Sequence, residues 1–279
     1  MNNSVCAPNI KIDVSKHYTC FDYNELKEIA LAFNIYIQTN NICSTSDNKC
    51  AQGKLIDTKQ KDKQQLWKSI YRRLEPICKY EYCWLNFDFI YLIPDPYLRE
   101  KIKFFTFKPK TTNEKFSWLT TKDINYVLQQ YQELYPSFKF LGALPSDFYK
   151  VTRVNYNDIF KYKKIGIVFN LDNHTQQGSH WVGFLIDNEN KTLEYFDSAG
   201  KVPNKNIRAF IKKIYKYCKK YTLHINNIKH QTQNSECGVY AIYFIIQRLK
   251  NNKFDEISQN IIRDDEMNKF RNIIFRPLI

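Results

Sequence analysis

Residues 180–198 read HWVGFLIDNENKTLEYFDS: two short apolar runs, one opening at Trp181 and one closing at Phe196, separated by the polar segment Asp187 to Lys191. Aliphatic and aromatic runs bounded by polar turn formers predict strands, and so short a connection predicts that they pair antiparallel. In such a hairpin the start of the first strand lies beside the end of the second. His180 and Asp197 are therefore expected to be neighbours.

A histidine held by a carboxylate needs a thiol or hydroxyl to act on, and one stands downstream in Ser235-Glu236-Cys237-Gly238-Val239-Tyr240. The apolar stretch that follows, Ala241 to Leu249, predicts a helix, which puts the Cys237 sulfur at a helix N-terminus. There the unpaired N–H groups and the helix dipole favour a thiolate, the reactive form of cysteine. Taken alone, a cysteine opening a core helix reads as readily as a buried structural residue, and His180 and Asp197 tip the balance. The set predicts nucleophilic catalysis, with Cys237 as nucleophile, His180 as general base and Asp197 fixing tautomer and orientation. The order His, Asp, Cys disfavours a papain-like arrangement, in which cysteine comes first. Gln231 is placed to offer its amide, beside the Cys237 N–H, to an oxyanion. Gly238 leaves room for a substrate carbonyl to approach the backbone.

Around these residues the chain predicts an α+β domain. Strands are expected at Lys164 to Leu171, His180 to Ile186, Thr192 to Phe196 and Thr222 to Lys229. Helices are expected from Thr120 or Thr121 to Leu134, at Asn204 to Tyr221, at Cys237 to Leu249 and at Asp264 to Phe275. Upstream, a helix is predicted at Gln65 to Leu74 and a turn at Pro94-Asp95-Pro96. The polar run Lys108 to Glu114 marks a boundary, dividing residues 1–112, a mainly helical arm, from residues 113–279, the core domain.

His180-Trp181, Phe196-Asp197-Ser198 and Gln231 through Glu236-Cys237-Gly238 resemble the motifs of the SUMO-specific (ubiquitin-like) and adenovirus-type cysteine proteases. Trp118-Leu119-Thr120-Thr121-Lys122-Asp123-Ile124-Asn125 is similar to the helix entry of the SUMO proteases. Asp265-Glu266-Met267 with Lys269-Phe270-Arg271 resembles the viral, polyprotein-processing branch of that family. The resemblance extends from about Phe116 to the C-terminal end. It implies a central mixed β-sheet flanked by helices and the catalytic roles given above. It further implies cleavage after Gly-Gly, through a narrow tunnel between indoles that fall on Trp118 and Trp181. The implied substrates are viral structural, core-shell polyproteins with Gly-Gly-Xaa sites, cut during virion maturation at the virus factory in the host cytoplasm and in the virion. Host ubiquitin-like modifiers, whose tails also end in Gly-Gly, are the alternative substrates. An inactive basic scaffold is a third reading, against which the complete His, Asp, Gln and Cys set speaks.

Composition fits a folded enzyme: 279 residues, 43% hydrophobic and 16% aromatic, with a net charge of +14. That charge makes a polyanion such as DNA a possible activator, with a cluster at Lys212, Lys213, Lys216, Lys219 and Lys220. Met1 leads into Asn2, Asn3 and Ser4 with no apolar signal region, and no apolar run is long enough to span a bilayer, so neither secretion nor membrane insertion is expected. The eight cysteines are accordingly expected as free thiols. Cys43 and Cys50, seven positions apart, and Cys78 and Cys83, five apart, lack the spacing of Cys-x-x-Cys zinc knuckles, so no metal and no other cofactor is expected.

Overall fold

A computed structural model describes residues 5–10, 18–39, 55–110 and 117–277. Cys43, Cys50, Glu114, Phe116 and the expected boundary after residue 112 lie outside the described residues. The chain separates into two compact units, Ser4–Lys108 and Pro109–Ile279.

The first unit is helical: α1 (Tyr23–Thr39), α2 (Lys63–Leu74), α3 (Glu81–Trp84), a 3-10 turn (Asp88–Leu92) and α4 (Pro96–Phe105). Leu26, Ile29, Leu66, Ile70, Trp84 and Ile102 are among the side chains of its buried core. Pro94-Asp95-Pro96 does more than turn the chain. Asp95 accepts hydrogen bonds from the N–H groups of Tyr97 and Leu98, and Pro96 opens α4, where its missing N–H costs nothing. The expectation of free thiols is corrected here: Cys6 is bonded to Cys20 and Cys78 to Cys83. Their Cα atoms, 5.3 and 6.2 Å apart, lie within the span a disulfide bridges. Cys218 and Cys237 carry free thiols. Among the described residues no helix is long and apolar enough to cross a membrane.

The second unit is built on five strands. Its elements are α5 (Thr121–Leu134), β1 (Phe138–Pro145), α6 (Phe148–Val151), α7 (Tyr156–Ile159), β2 (Lys164–Asn170), β3 (Trp181–Asp187), β4 (Thr192–Phe196), α8 (Lys205–Tyr215), β5 (Thr222–Ile225), α9 (Cys237–Leu249), α10 (Phe254–Gln259) and α11 (Asp264–Ile274). Spatial order follows chain order, with β1 parallel to β2, β2 to β4 antiparallel, and β5 parallel to β4. β2 and β3 are buried along almost their whole length because helices cover both faces. Trp181, Leu185 and Phe196 join α5, α9 and α11 in one core. Val182, Phe184, Ile186 and Tyr195 join α8 in the other.

β1 is an element the sequence reading left out. Its outer edge is not left open to pairing: Gln132 and Asn125 of α5 accept hydrogen bonds from the N–H groups of Phe140 (2.9 Å) and Ala143 (2.8 Å). α5 itself begins as predicted, with Thr120 as its cap in a reciprocal box with Asp123.

At the far end of α9, Arg248 is buried between two strands. It donates to Glu194 of β4 (2.6 and 2.8 Å) and to Asp187 of β3 (3.1 Å), while Lys164 of β2 donates to its carbonyl at 2.9 Å. Removing the guanidinium leaves two buried carboxylates without their cation. Arg248→Met is expected to lower the unfolding free energy by about 3–5 kcal/mol, read as a reduced urea midpoint at constant slope.

Candidate active site

His180 immediately precedes β3 and Asp197 immediately follows β4, and the register Gly183 opposite Phe196 sets them diagonally adjacent. Nε2 of His180 lies 2.6 Å from Oδ1 of Asp197. The same oxygen accepts the Ala199 N–H at 2.8 Å, and Asn226 donates to the Asp197 carbonyl at 2.7 Å, so the carboxylate is fixed from behind. Asp197 is fully buried and the His180 side chain is 19% exposed. With Nε2 committed, the other ring nitrogen remains for Cys237, the second group that acts on the ring.

Cys237 is the first residue of α9 and is buried. α9 lies so close over β3 that a Cβ on Gly183 would stand 2.7 Å from Cδ1 of Phe244. This contact seats the helix, and with it the sulfur, against the strand that His180 precedes. Burial by itself would push the His180 pKa down. The hydrogen bond to Asp197 and the interactions with the charged forms of Asp197 and Cys237 outweigh it and raise the pKa to about 9. A ring with so raised a pKa readily takes and holds a proton between a carboxylate and a sulfur at a helix N-terminus, an arrangement suited to nucleophilic attack by a thiolate.

Gln231 is buried beside this group. Its Oε1 accepts from the Ser198 hydroxyl at 2.7 Å, and its backbone N–H and that of His230 both donate to the Ser198 carbonyl. Nε2 donates to the Gln233 carbonyl. The carboxamide is thus held with its oxygen toward Ser198 and its NH2 group directed the other way, leaving a second N–H for an oxyanion. Asp264 of α11 anchors the same loop: its Oδ2 accepts from the N–H groups of Thr232 (2.9 Å) and Gln233 (2.8 Å). Ser198 and Asp264 received no role in the sequence reading. Ser198 adjoins the expected aspartate, and the acidic first turn of α11 was the only other signal.

The segment that carries Trp118 is tied to Trp181. Trp181 is buried and its Nε1 donates to the carbonyl of Leu119 at 2.9 Å, while Trp118, next in the chain, stays 47% exposed. Gly238 packs against the same residues. Its bare Cα faces protein, since a Cβ there would meet Leu119 at 3.1 Å and Trp181 at 3.3 Å. The glycine leaves room for Leu119 and the Trp181 indole. A cleft of about 260 Å³ opens beside Trp181, lined in part by Thr121, Leu144, Asn170, His174 and Gln177. A larger cavity of about 540 Å³, between β1 and the α6–α7 segment, includes none of His180, Asp197, Gln231 and Cys237.

The profile of the Ulp1 protease family, C-terminal catalytic domain, matches residues 97–278. A protein of Acanthamoeba polyphaga mimivirus that bears the name of a thiol protease is 33% identical over 98% of this chain and 93% of its own length. The SUMO-1 cysteine protease of African swine fever virus is 29% identical over 61% of this chain and 72% of its own length. A crystal structure of an African swine fever virus protease shares the fold, with a TM-score of 0.63 at 21% identity, covering 99% of this chain and 97% of that one. This bears out the expected α+β fold, a mixed sheet flanked by helices.

The raised pKa gives a direct test. The ring of His180 is expected to titrate at about 9, and Asp197→Ala is expected to bring its midpoint down, because burial then acts with less opposition. The stabilisation tied to this proton is fully present below the ordinary histidine value of about 6.5 and is lost as pH rises through about 9. NMR titration of the imidazole resonances reads both, and a wild-type midpoint at the ordinary value would contradict the geometry.

Proposed function

The chain belongs to the Ulp1 protease family of cysteine proteases, and we propose that within it the protein is a viral endopeptidase cleaving after Gly-Gly in structural polyproteins during virion maturation. The observation that carries this reading is the buried Cys237 at the N-terminus of α9, acting on a His180 that is itself held at 2.6 Å by Asp197.

The proposed reaction begins with transfer of the Cys237 proton to His180. The thiolate attacks the carbonyl carbon of the scissile peptide, and the Cys237 N–H with the free N–H of Gln231 receives the negative charge that develops on oxygen. His180 returns the proton to the leaving amine as the C–N bond breaks. A water then attacks the thioester, giving up a proton to His180, and Cys237 departs as thiol. Trp118 and Trp181 are proposed to wall the approach to Cys237, a reading supported by the bond of the Trp181 indole to Leu119, next to Trp118 in the chain. A passage that admits backbone but no Cβ selects glycine.

Relatives from two large viruses support the viral setting, and the proposed location is the virus factory in the host cytoplasm and the virion. The name of the African swine fever virus relative, a SUMO-1 cysteine protease, favours one second reading, action on ubiquitin-like tails. A polyanion activator is also proposed from the charge of +14. The exposed Lys212, Lys213, Lys216, Lys219 and Lys220, in and just after α8, support this reading.

Hydrolysis of a panel of Gly-Gly-Xaa peptides, with SUMO and ubiquitin fusions alongside, separates the readings. Peptide cleavage is expected, abolished in Cys237→Ala and carrying a KM raised roughly tenfold in Trp118→Ala, equivalent to about 1.4 kcal/mol of lost aromatic contact. Cleavage of a fusion alone transfers the assignment to ubiquitin-like modifiers. DNA or heparin is expected to raise the rate in a manner suppressed by salt, and an unchanged rate at low salt removes the activator.

A further inference from the structure

The residue before the nucleophile is a glutamate that does not cap its helix. Glu236 occupies the N-cap position of α9 yet its side chain accepts no N–H from the first turn. It is fully buried. Both of its oxygens are turned instead to Arg271 of α11, with Nε to Oε2 at 2.9 Å, Nη2 to Oε1 at 3.0 Å and Nε to Oε1 at 3.2 Å. The same Nη2 donates to the carbonyl of Ser117 at 2.5 Å. Ser117 is followed by Trp118, and Leu119 beyond it accepts the indole N–H of Trp181. One guanidinium thus holds the turn that enters Cys237 on one side and the segment that carries Trp118 on the other.

We propose that Arg271 is a positioning residue of the proteolytic site, setting the nucleophile turn and the Trp118 wall at a fixed separation; the inference rests on the function proposed above. A buried ion pair is a costly way to gain stability, since an apolar pair of similar volume does as well. It differs from an apolar pair in being directional. A planar guanidinium bonded in parallel to both carboxylate oxygens fixes the orientation of Glu236. That orientation sets the path of the backbone into α9 and the direction of the Cys237 N–H, one of the two proposed oxyanion donors. The third bond then carries the same reference frame to the wall that meets the substrate. Arg271 also balances a carboxylate one residue from the nucleophile, where an unpaired negative charge would oppose a thiolate. Lysine supplies the charge but no fork, so it cannot hold Glu236 and Ser117 in one plane.

The decisive comparison is between wild type, Arg271→Lys and the double variant Glu236→Leu/Arg271→Met, which replaces the ion pair with an apolar contact and leaves no buried charge behind. Each is measured for thermal unfolding, for kcat and KM on a Gly-Gly peptide, and for acrylamide quenching of the Trp118 fluorescence, isolated by subtracting Trp118→Phe. Positioning predicts folded variants whose kcat/KM falls at least tenfold, Arg271→Lys chiefly through KM and the double variant through both constants, with Trp118 quenched more readily in each. A purely structural pair predicts that a folded double variant keeps wild-type kcat/KM and quenching, and that result overturns the inference. Should the double variant not fold, Arg271→Lys decides by the same two readouts. If wild type itself cuts none of the peptides, the proposed function falls, and unchanged Trp118 quenching in Arg271→Lys then overturns the tether independently.

Discussion

The antiparallel register of β3 and β4 is the constraint on which the site depends. Gly183 opposite Phe196 places His180 and Asp197 within one hydrogen bond of each other, and nothing local to either residue would do so. The register is locked because both strands face apolar cores on both sides. Trp181 and Leu185 feed one core and Val182, Phe184 and Ile186 the other. A slip of one residue would exchange the two sets and leave both cores misfilled. Catalytic geometry at the strand ends is thereby secured by packing along the strands' length, where no chemistry takes place.

The histidine shows how competing effects resolve at such a site. Burial disfavours an imidazolium, and an isolated buried histidine in this unit behaves accordingly: His230 has its pKa lowered by burial, and one ring nitrogen lies 2.9 Å from the Ser258 carbonyl. His180 is also largely enclosed, yet its pKa is raised to about 9. The difference is Asp197 and Cys237. Two histidines of one fold, both inside it, are given opposite charge preferences by the groups at their nitrogens.

Much of this was legible in the sequence. β2, β3, β4 and α9 are apolar runs with sharp polar boundaries, so their periods and ends could be read directly, and His180, Asp197 and Cys237 stand at those ends. β1 escaped because FKFLGALP carries Lys139 and a positive-φ glycine, Gly142, and because it pairs in parallel with a strand beyond two intervening short helices. Parallel pairing leaves no hairpin turn to announce it. The disulfides escaped because composition suggested a reducing setting, whereas the separation of Cα atoms that decides bonding is a tertiary quantity. Gly238 was singled out in the sequence for the room at its backbone, and the protein neighbours that use that room were not. A glycine's empty side states only that something comes close, and here Leu119 and Trp181 do.

What the sequence did not disclose at all is how an apolar helix is held in register along its own axis. α9 is buried on nearly every side, and hydrophobic burial is non-directional, so packing alone would tolerate a small slide of the helix at little cost. A slide of even 1 Å matters at Cys237. Both ends of α9 carry a buried directional anchor: Arg248 to Glu194 and Asp187 at one end, and Glu236 to Arg271 at the other. The first ties the helix to the strands that His180 and Asp197 flank; the second ties it to α11 and to the segment bearing Trp118. These ion pairs join residues 35 to 61 positions apart in the chain, and no local pattern marks them. They convert a helix that is merely buried into one whose first residue is placed.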